Sequence, residues 1–354
     1  MKIDRVHFYV RNAARTRDWF IRNVGFKAIG NYINRHTHTE LIALNSVFFV
    51  LSSPLNSASP VAQYLKSHPS GVVDIAFRVK NLTEIIARAS GLGVVLQNIQ
   101  QKRSNKGNFK YAKIAGWNIQ HTLIEASDRV SYCLPNFPKQ YQSIDRHDLE
   151  ITNIDHVVLN VNRDELDSAV KLYQTLFNFQ VQQSFDIQTD KSGLTSQALI
   201  SKAGEVQFNI NQPTSANSQI QEFIDLNHGS GIQHIALRSP NLIADMTQMQ
   251  QRDLKFLAVP QAYYQKLQAL SCLSAAEKQA IAELQILVDC DRRLPESLLM
   301  QIFTGPIFEQ PTFFLEFIER RREAKGFGQG NFQALFEAVE REQEKRVFSG
   351  RDNY

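Results

Sequence analysis

Three short segments rich in β-branched and aromatic residues each carry one side chain able to bind a metal ion. They are IDHVVLNV (154–161) with His156, GIQHIALRS (231–239) with His234, and PTFFLEFIER (311–320) with Glu316. Two histidines and one carboxylate form the ligand set of a non-haem Fe(II) site that keeps coordination positions open. Open positions let a substrate and O₂ meet at one metal, so this constellation points to oxygenation. A lone histidine in a strand is usually a hydrogen-bonded structural residue. The weight lies in the joint pattern, because all three residues occupy comparable places in a repeated module.

Strand alternation says which neighbours would share the metal-facing side. His156 goes with Val158 and Asn160, His234 with Ala236 and Arg238, and Glu316 with Phe314 and Ile318. The opposite faces (Val157, Leu159, Val161; Ile235, Leu237; Phe313, Leu315, Phe317) are apolar and read as core. An ionised glutamate among such neighbours is costly unless it is paired or bound to a cation.

The elements that must position these residues come from an internal repeat. IDRVHFYVRNAARTRDWFIRNVGFKAI from Ile3 echoes IDHVVLNVNRDELDSAVKLYQTLFNFQV from Ile154; GVVDIAFRV (71–79) echoes GIQHIALRS, and HTLIEAS (121–127) echoes FFLEFIE (313–319). The pattern predicts an α+β fold of two homologous halves. Each half is a pair of βαβββ modules forming an open barrel. Expected boundaries are 1–126 for a structural N-terminal domain, 127–150 for a linker, and 151–354 for a metal-binding domain closed by a C-terminal helix. Leu166, Ala169, Val170, Tyr173, Leu176 and Phe177 form one helical stripe, with Asp164 and Glu165 expected in its first turn. Residues 261–283 read as an irregular helical insertion before ILVD (286–289). GFGQGNFQALFEAVEREQEKR (326–346) reads as a glycine-rich turn feeding a helix, with Asn331 as N-cap and Phe332, Leu335, Phe336 and Val339 as its apolar stripe. Where the second half has His156, His234 and Glu316, the first half is read as having Arg5, Asp74 and Glu125. A guanidinium does not ligate metals, so one metal per chain is expected.

Composition fits an ordinary globular protein: 354 residues, 43% hydrophobic, 21% charged. The formal charge of +4, from 39 basic and 35 acidic residues, gives no reason to expect nucleic acid as a partner. The basic run Arg320–Arg322 with Lys325 reads as a solvated strand end. Three widely spaced cysteines (Cys133, Cys272, Cys290) suggest a reducing compartment and no zinc knuckle. With no signal-like start and no run of the ~20 apolar residues that span a bilayer, the expectation is a cytoplasmic protein without a membrane partner.

The second half resembles the 4-hydroxyphenylpyruvate dioxygenase family of the vicinal oxygen chelate superfamily. The most specific matches are LLMQIFTGP (298–306), PTFFLEFIER (311–320) and GFGQGNFQALFEAVEREQ (326–343); the first half matches more weakly. The resemblance implies that His156, His234 and Glu316 hold Fe(II), and that the substrates are an aromatic α-keto acid, 4-hydroxyphenylpyruvate, and O₂. Decarboxylation, ring hydroxylation and side-chain migration would yield homogentisate and CO₂, serving tyrosine catabolism or prenylquinone precursor supply. The family's substrate pocket matches Ser196, Asn211, Gln219, Gln233 and Gln301, and its aromatic wall matches Phe303, Phe314, Phe327 and Phe332, with Asn331 placed beside them. A homo-oligomer, dimer or tetramer, is expected. One departure stands out: the family reads Pro-x-Asn-Glu-Pro where this chain has Asn209, Ile210, Asn211, Gln212, Pro213. Two rival functions share the fold. One is 4-hydroxymandelate synthesis from the same substrate; the other is non-catalytic binding of an aromatic ligand.

Overall fold

The computed structural model describes residues 1–104, 107–126, 149–188, 192–291, 294–331, 334–335 and 338–339. The first half contains β1 (Lys2–Tyr9), α1 (Ala13–Val24), β2 (Lys27–Ile33), β3 (Thr37–Leu44), β4 (Val47–Pro54), α2 (Pro60–Tyr64), β5 (Gly71–Arg78), α3 (Leu82–Gly91), β6 (Leu96–Ser104), β7 (Gly107–Gly116) and β8 (Ile119–Ala126). The second contains β9 (Asn153–Asn160), α4 (Leu166–Phe177), β10 (Phe179–Gln188), β11 (Gly193–Ser201), β12 (Gln207–Pro213), α5 (Gln219–Asn227), β13 (Gly231–Arg238), α6 (Leu242–Met249), α7 (Ala275–Leu284), β14 (Leu287–Asp291), β15 (Leu294–Phe303) and β16 (Phe314–Arg320). Both halves are paired βαβββ modules, as the repeat predicts. Each makes one open sheet of eight strands, in the orders β2-β3-β4-β1-β5-β8-β7-β6 and β10-β11-β12-β9-β13-β16-β15-β14. Within each module the first strand runs parallel to the last, and the two modules meet through an antiparallel central pair, β1 with β5 and β9 with β13.

The α4 stripe is buried throughout: Leu166, Ala169, Val170, Tyr173, Leu176 and Phe177 all face the core. The helix begins at Leu166, so Glu165 is its N-cap and Asp167, not Asp164, lies in the first turn. Asp164 instead takes a left-handed conformation (φ 68°), which ends the turn before the helix. Tyr173 joins the two halves. Its hydroxyl donates to His121 Nε2 (2.7 Å), whose Nδ1 donates to the Ile75 carbonyl (3.1 Å). Burial pushes the His121 pKa down to about 4, consistent with this neutral tautomer. Phe77 packs on Phe208, and Phe8 on Phe313, across the same junction.

The insertion between α6 and α7 is a 3₁₀ segment, Gln261–Ala269. In the first half, α3 leads to β6 with no such segment. Residues 127–148 of the linker expected at 127–150 lie outside the described residues, as does Cys133. The terminal helix begins earlier than the capping reading predicts: residues 329–331 are already helical, so Asn331 is inside it and is not the N-cap. Phe332 and Phe336 lie outside the described residues.

Candidate metal centre

Central strands β9, β13 and β16 bring the three predicted ligands together. One ligating atom each from His156, His234 and Glu316 lies within 4.8 Å of the others. Glu316 Oε2 stands 3.2 Å from His156 Nε2 and 3.4 Å from His234 Nε2. All three residues are buried. Burial alone would raise the Glu316 pKa, but the two imidazoles reverse this and hold it down at about 2. Burial opposes a charge on His156, yet the Glu316 and Asp155 carboxylates outweigh it and lift its pKa to about 9. Burial, helped by the charge of His156, keeps His234 below its ordinary value against the pull of Glu316. A point between two imidazole nitrogens and a buried carboxylate favours a cation, whether a proton or a metal. The donor set fits a divalent transition metal.

Two residues that hold this set in place were not anticipated from the sequence. Asp155 accepts from His156 Nδ1 (3.0 Å), which leaves Nε2 directed at the ligand cluster. Asp155 is itself clamped by Arg320, through Nη2 (2.6 Å) and Nε (2.8 Å). Arg320 therefore is not part of a solvated strand end: its side chain is 5% exposed, and Nη1 also donates to the carbonyls of Ala324 and Gly326. Its charge and the His156 hydrogen bond keep Asp155 well below the usual carboxylate range, against burial. The adjacent pair Asp155-His156 is a local signal, but its partner lies 165 residues away.

Next to the cluster is a cavity of about 70 Å³ that opens to solvent. It is lined by His156, His234 and Glu316 together with Ser196, Asn211, Gln219, Gln233, Gln301, Phe303, Phe314 and Phe327 from the predicted pocket. Val158, Ile187, Leu194, Asn209, Ile220, Leu335 and Val339 complete the wall. Gln233 and His234 are consecutive yet both face the cavity, because a register shift against β9 falls between Ile232 and His234. Phe314 stacks on the His234 ring at 4.6 Å, and Phe327 meets the His156 ring edge-on at 5.2 Å. Strand register orders the polar groups. On β12, Gln207 lies opposite His156, Asn209 opposite Val158, and Asn211 opposite both Asn160 and Ser196. Asn211 Nδ2 donates to Asn160 Oδ1 (3.1 Å). Asn209, the departure from the resemblance noted above, is 6% exposed, and its Oδ1 has no hydrogen-bond partner. Asn331 does not line the cavity but stands behind it, donating to Gln301 Oε1 at 3.0 Å.

The first half has no such cluster among the described residues. Arg5 and Asp74 occupy the places of the two histidines, as predicted, but Glu125 does not occupy that of Glu316. Glu125 accepts from the backbone of Leu82, as Glu319 does from Leu242, both at 2.7 Å. Glu125 is thus the counterpart of Glu319. Strand pairing puts Thr122 at the position equivalent to Glu316: Leu123 pairs with Phe77 as Phe317 pairs with Leu237. Asp74 accepts the Thr122 N–H (2.8 Å) and hydroxyl, which fills the position where a metal ligand would have to turn inward.

Comparison with known proteins agrees with this geometry. Residues 153–270 match the family model described as Glyoxalase/Bleomycin resistance protein/Dioxygenase superfamily. A 4-hydroxyphenylpyruvate dioxygenase of Yarrowia lipolytica is 35% identical, over 97% of this chain and 92% of its own length. The chain belongs to the 4-hydroxyphenylpyruvate dioxygenase family. The corresponding enzyme of Sus scrofa is 33% identical over 96% of the chain and 91% of its own length. An uncharacterized protein of Synechocystis sp. is 35% identical over 96% of the chain and 97% of its own length. In fold, the chain is similar to a triple mutant of 4-hydroxymandelate synthase from Streptomyces coelicolor, with a TM-score of 0.86, 24% identity, and coverage of 97% of this chain and 98% of that one. Family membership makes the chain a dioxygenase of the vicinal oxygen chelate type, whose members are metal-dependent, and His156, His234 and Glu316 form a group able to hold a metal ion. Among the described residues, no helix is long and apolar enough to cross a membrane.

Proposed function

We propose that the chain is an Fe(II)-dependent 4-hydroxyphenylpyruvate dioxygenase, which converts this keto acid and O₂ to homogentisate and CO₂. One observation carries the reading: a buried two-histidine, one-carboxylate cluster opens directly onto a cavity walled by phenylalanines and neutral amides. His156, His234 and Glu316 would hold the metal, which when bound supplies a place for the keto acid and O₂ to react together. The rest is work for the chain's own residues. Asp155 keeps the His156 Nδ1 proton, so the ring offers Nε2. Phe303, Phe314 and Phe327 suit the substrate ring and exclude water. Asn211 and Ser196 lie together at the far end from His156 along β12 and β11. An amide and a hydroxyl there suit a phenol, since each both donates and accepts. Leu335 and Val339 line the cavity from the terminal helix.

The test is product analysis with the Fe(II)-loaded protein, 4-hydroxyphenylpyruvate and O₂. Homogentisate and CO₂ in equal amounts are expected. 4-Hydroxymandelate as the main product would transfer the chain to the sister reaction, named by its structural neighbour. Binding of the keto acid without O₂ uptake would make it a binding protein.

A further inference from the structure

A line of hydrogen bonds runs from the 3₁₀ insertion to the metal-facing carboxylate. The Val288 N–H donates to the Tyr263 hydroxyl oxygen at 2.8 Å. The Tyr263 hydroxyl faces two acceptors, the Val288 carbonyl at 3.0 Å and, closer, Asn331 Oδ1 at 2.7 Å. Asn331 Nδ2 donates to Gln301 Oε1 at 3.0 Å, and Gln301 Nε2 donates to Glu316 Oε1 at 2.9 Å. With the Tyr263 proton on the nearer of its two acceptors, Asn331, each donor of the line points toward the Glu316 carboxylate. Hydrogen bonds aligned in this sense polarise one another, and the last is charge-assisted. Gln301, Asn331 and Glu316 are each 1–2% exposed, so water does not compete along that part of the line.

The line uses both carboxylate oxygens of Glu316 for different tasks. Oε2 faces the two imidazoles, whereas Oε1 is held from behind by Gln301. The Phe327 carbonyl takes a further contact from Gln301 Nε2 (3.2 Å). Gly328 lets the chain pass close to that amide: its φ is +79°, and a Cβ there would collide with Gln301 Oε1. Two of the contributing segments, the 3₁₀ insertion and the stretch after β16, have no counterpart among the described elements of the first half, which lacks a ligand cluster.

We propose that Tyr263 is a positioning residue for the metal centre, acting through Asn331 and Gln301 to fix the orientation of Glu316 and to tie the start of the terminal helix to it. This rests on the reading of Glu316 as a metal ligand. Outer partners of metal ligands typically change affinity by roughly 10- to 100-fold when removed. Tyr263 is two residues further out than Gln301, so the lower end of that range applies.

The test is a double-mutant cycle on the full chain, read by Co(II) titration of metal-free protein and by O₂ consumed per product formed after Fe(II) loading. Tyr263→Phe and Asn331→Ala are each expected to weaken Co(II) binding about tenfold and to raise uncoupled O₂ consumption. Melting temperatures of the metal-free variants, read alongside, separate a loss of Co(II) affinity from a loss of fold. The decisive result is non-additivity: on the Asn331→Ala background, Tyr263→Phe should have no further effect on Co(II) affinity. Parental Co(II) affinity in Tyr263→Phe, or full additivity of the two losses, overturns the proposal. Glu316→Gln is the control. If it leaves Co(II) affinity unchanged, the metal-centre reading itself fails and takes this proposal with it. If it weakens binding while Tyr263→Phe does not, only the relay is wrong.

Discussion

Replacing Asp155 by asparagine separates what this carboxylate does for the fold from what it does for the metal. In the parent, Asp155 and Arg320 form a two-point ion pair, with both side chains at most 5% exposed. Asp155→Asn leaves the Arg320 guanidinium buried without its counter-charge. Breaking a buried pair on one side costs ~3–5 kcal/mol. For a unit the size of the second half that is a fall in Tm on the order of 10 °C. The metal effect is separate. An amide oxygen still accepts from His156 Nδ1, but without charge it makes the ring a weaker donor to a cation, by roughly 10- to 100-fold in affinity. The double variant Asp155→Asn/Arg320→Met removes both charges and is expected to regain most of the lost Tm, since no unpaired ion remains. It should not regain Co(II) affinity, because the neutral acceptor at Nδ1 persists. Calorimetry of the metal-free proteins and Co(II) titration measure the two quantities independently. Recovery of affinity along with Tm would refute the reasoning, because Asp155 would then act on the centre only by keeping the fold intact.

Three further outcomes follow from the site. His156 has its pKa lifted from 6.5 to about 9 in the folded, metal-free protein. The stability this confers is fully present below pH 6.5 and is lost as pH rises toward 9, while Co(II) affinity should rise by up to ~10-fold per unit over the same window as the proton is displaced; a flat Tm and flat affinity between pH 6.5 and 9 would contradict it. Asn209→Val removes a buried amide whose Oδ1 has no partner, so the ligand-free protein should melt higher by the equivalent of ~1–3 kcal/mol, while KM for 4-hydroxyphenylpyruvate rises two- to tenfold or so if bound substrate satisfies that amide; an unchanged KM would show that Asn209 is only wall. Deleting residues 326–354 removes Phe327, Leu335 and Val339 from the cavity wall and Asn331 from behind Gln301, so coupled turnover should collapse while metal binding weakens less than in His156→Ala; full coupled activity of the truncated protein would mean this segment only packs.

Much of the fold was readable because its signals are local and periodic. The α4 stripe, the strand alternation around His156 and Glu316, and the repeat of two βαβββ modules per half all rest on neighbours a few residues apart; burial follows the helical stripe, while β9 and β16 are buried on both faces, so their alternation divides cavity wall from core. The pocket residues carried over from the family resemblance that fall among the described residues also converge, apart from Asn331, which stands one layer behind. What failed was register and partnership at long range. The echo between HTLIEAS and FFLEFIE offers a glutamate in each segment, and similarity alone pairs Glu125 with Glu316. The strand pairing and the hydrogen bonds to Leu82 and Leu242 reveal that Glu125 repeats Glu319.

Asp155 and Arg320 show why such partnerships are hidden. Alternation assigns Asp155 to the face opposite His156, where neighbouring residues are core, and a carboxylate there should be unfavourable. The structure resolves the conflict with a guanidinium from the end of β16, the strand that also supplies Glu316. Arg320 then reaches the carbonyls of Ala324 and Gly326, so one cation braces a metal-facing histidine and the chain turn leading to Phe327. The first half has the same raw materials: Asp4 pairs with Arg78 (2.7 Å) and with Arg5 (2.8 Å). There the arginine at the histidine position turns back on Asp4 and occupies the carboxylate that would orient a ligand. Arginine in place of histidine beside this aspartate, together with Asp74 and Thr122 at the other two ligand positions, leaves the first half neutralising its own charge where the second can hold a cation.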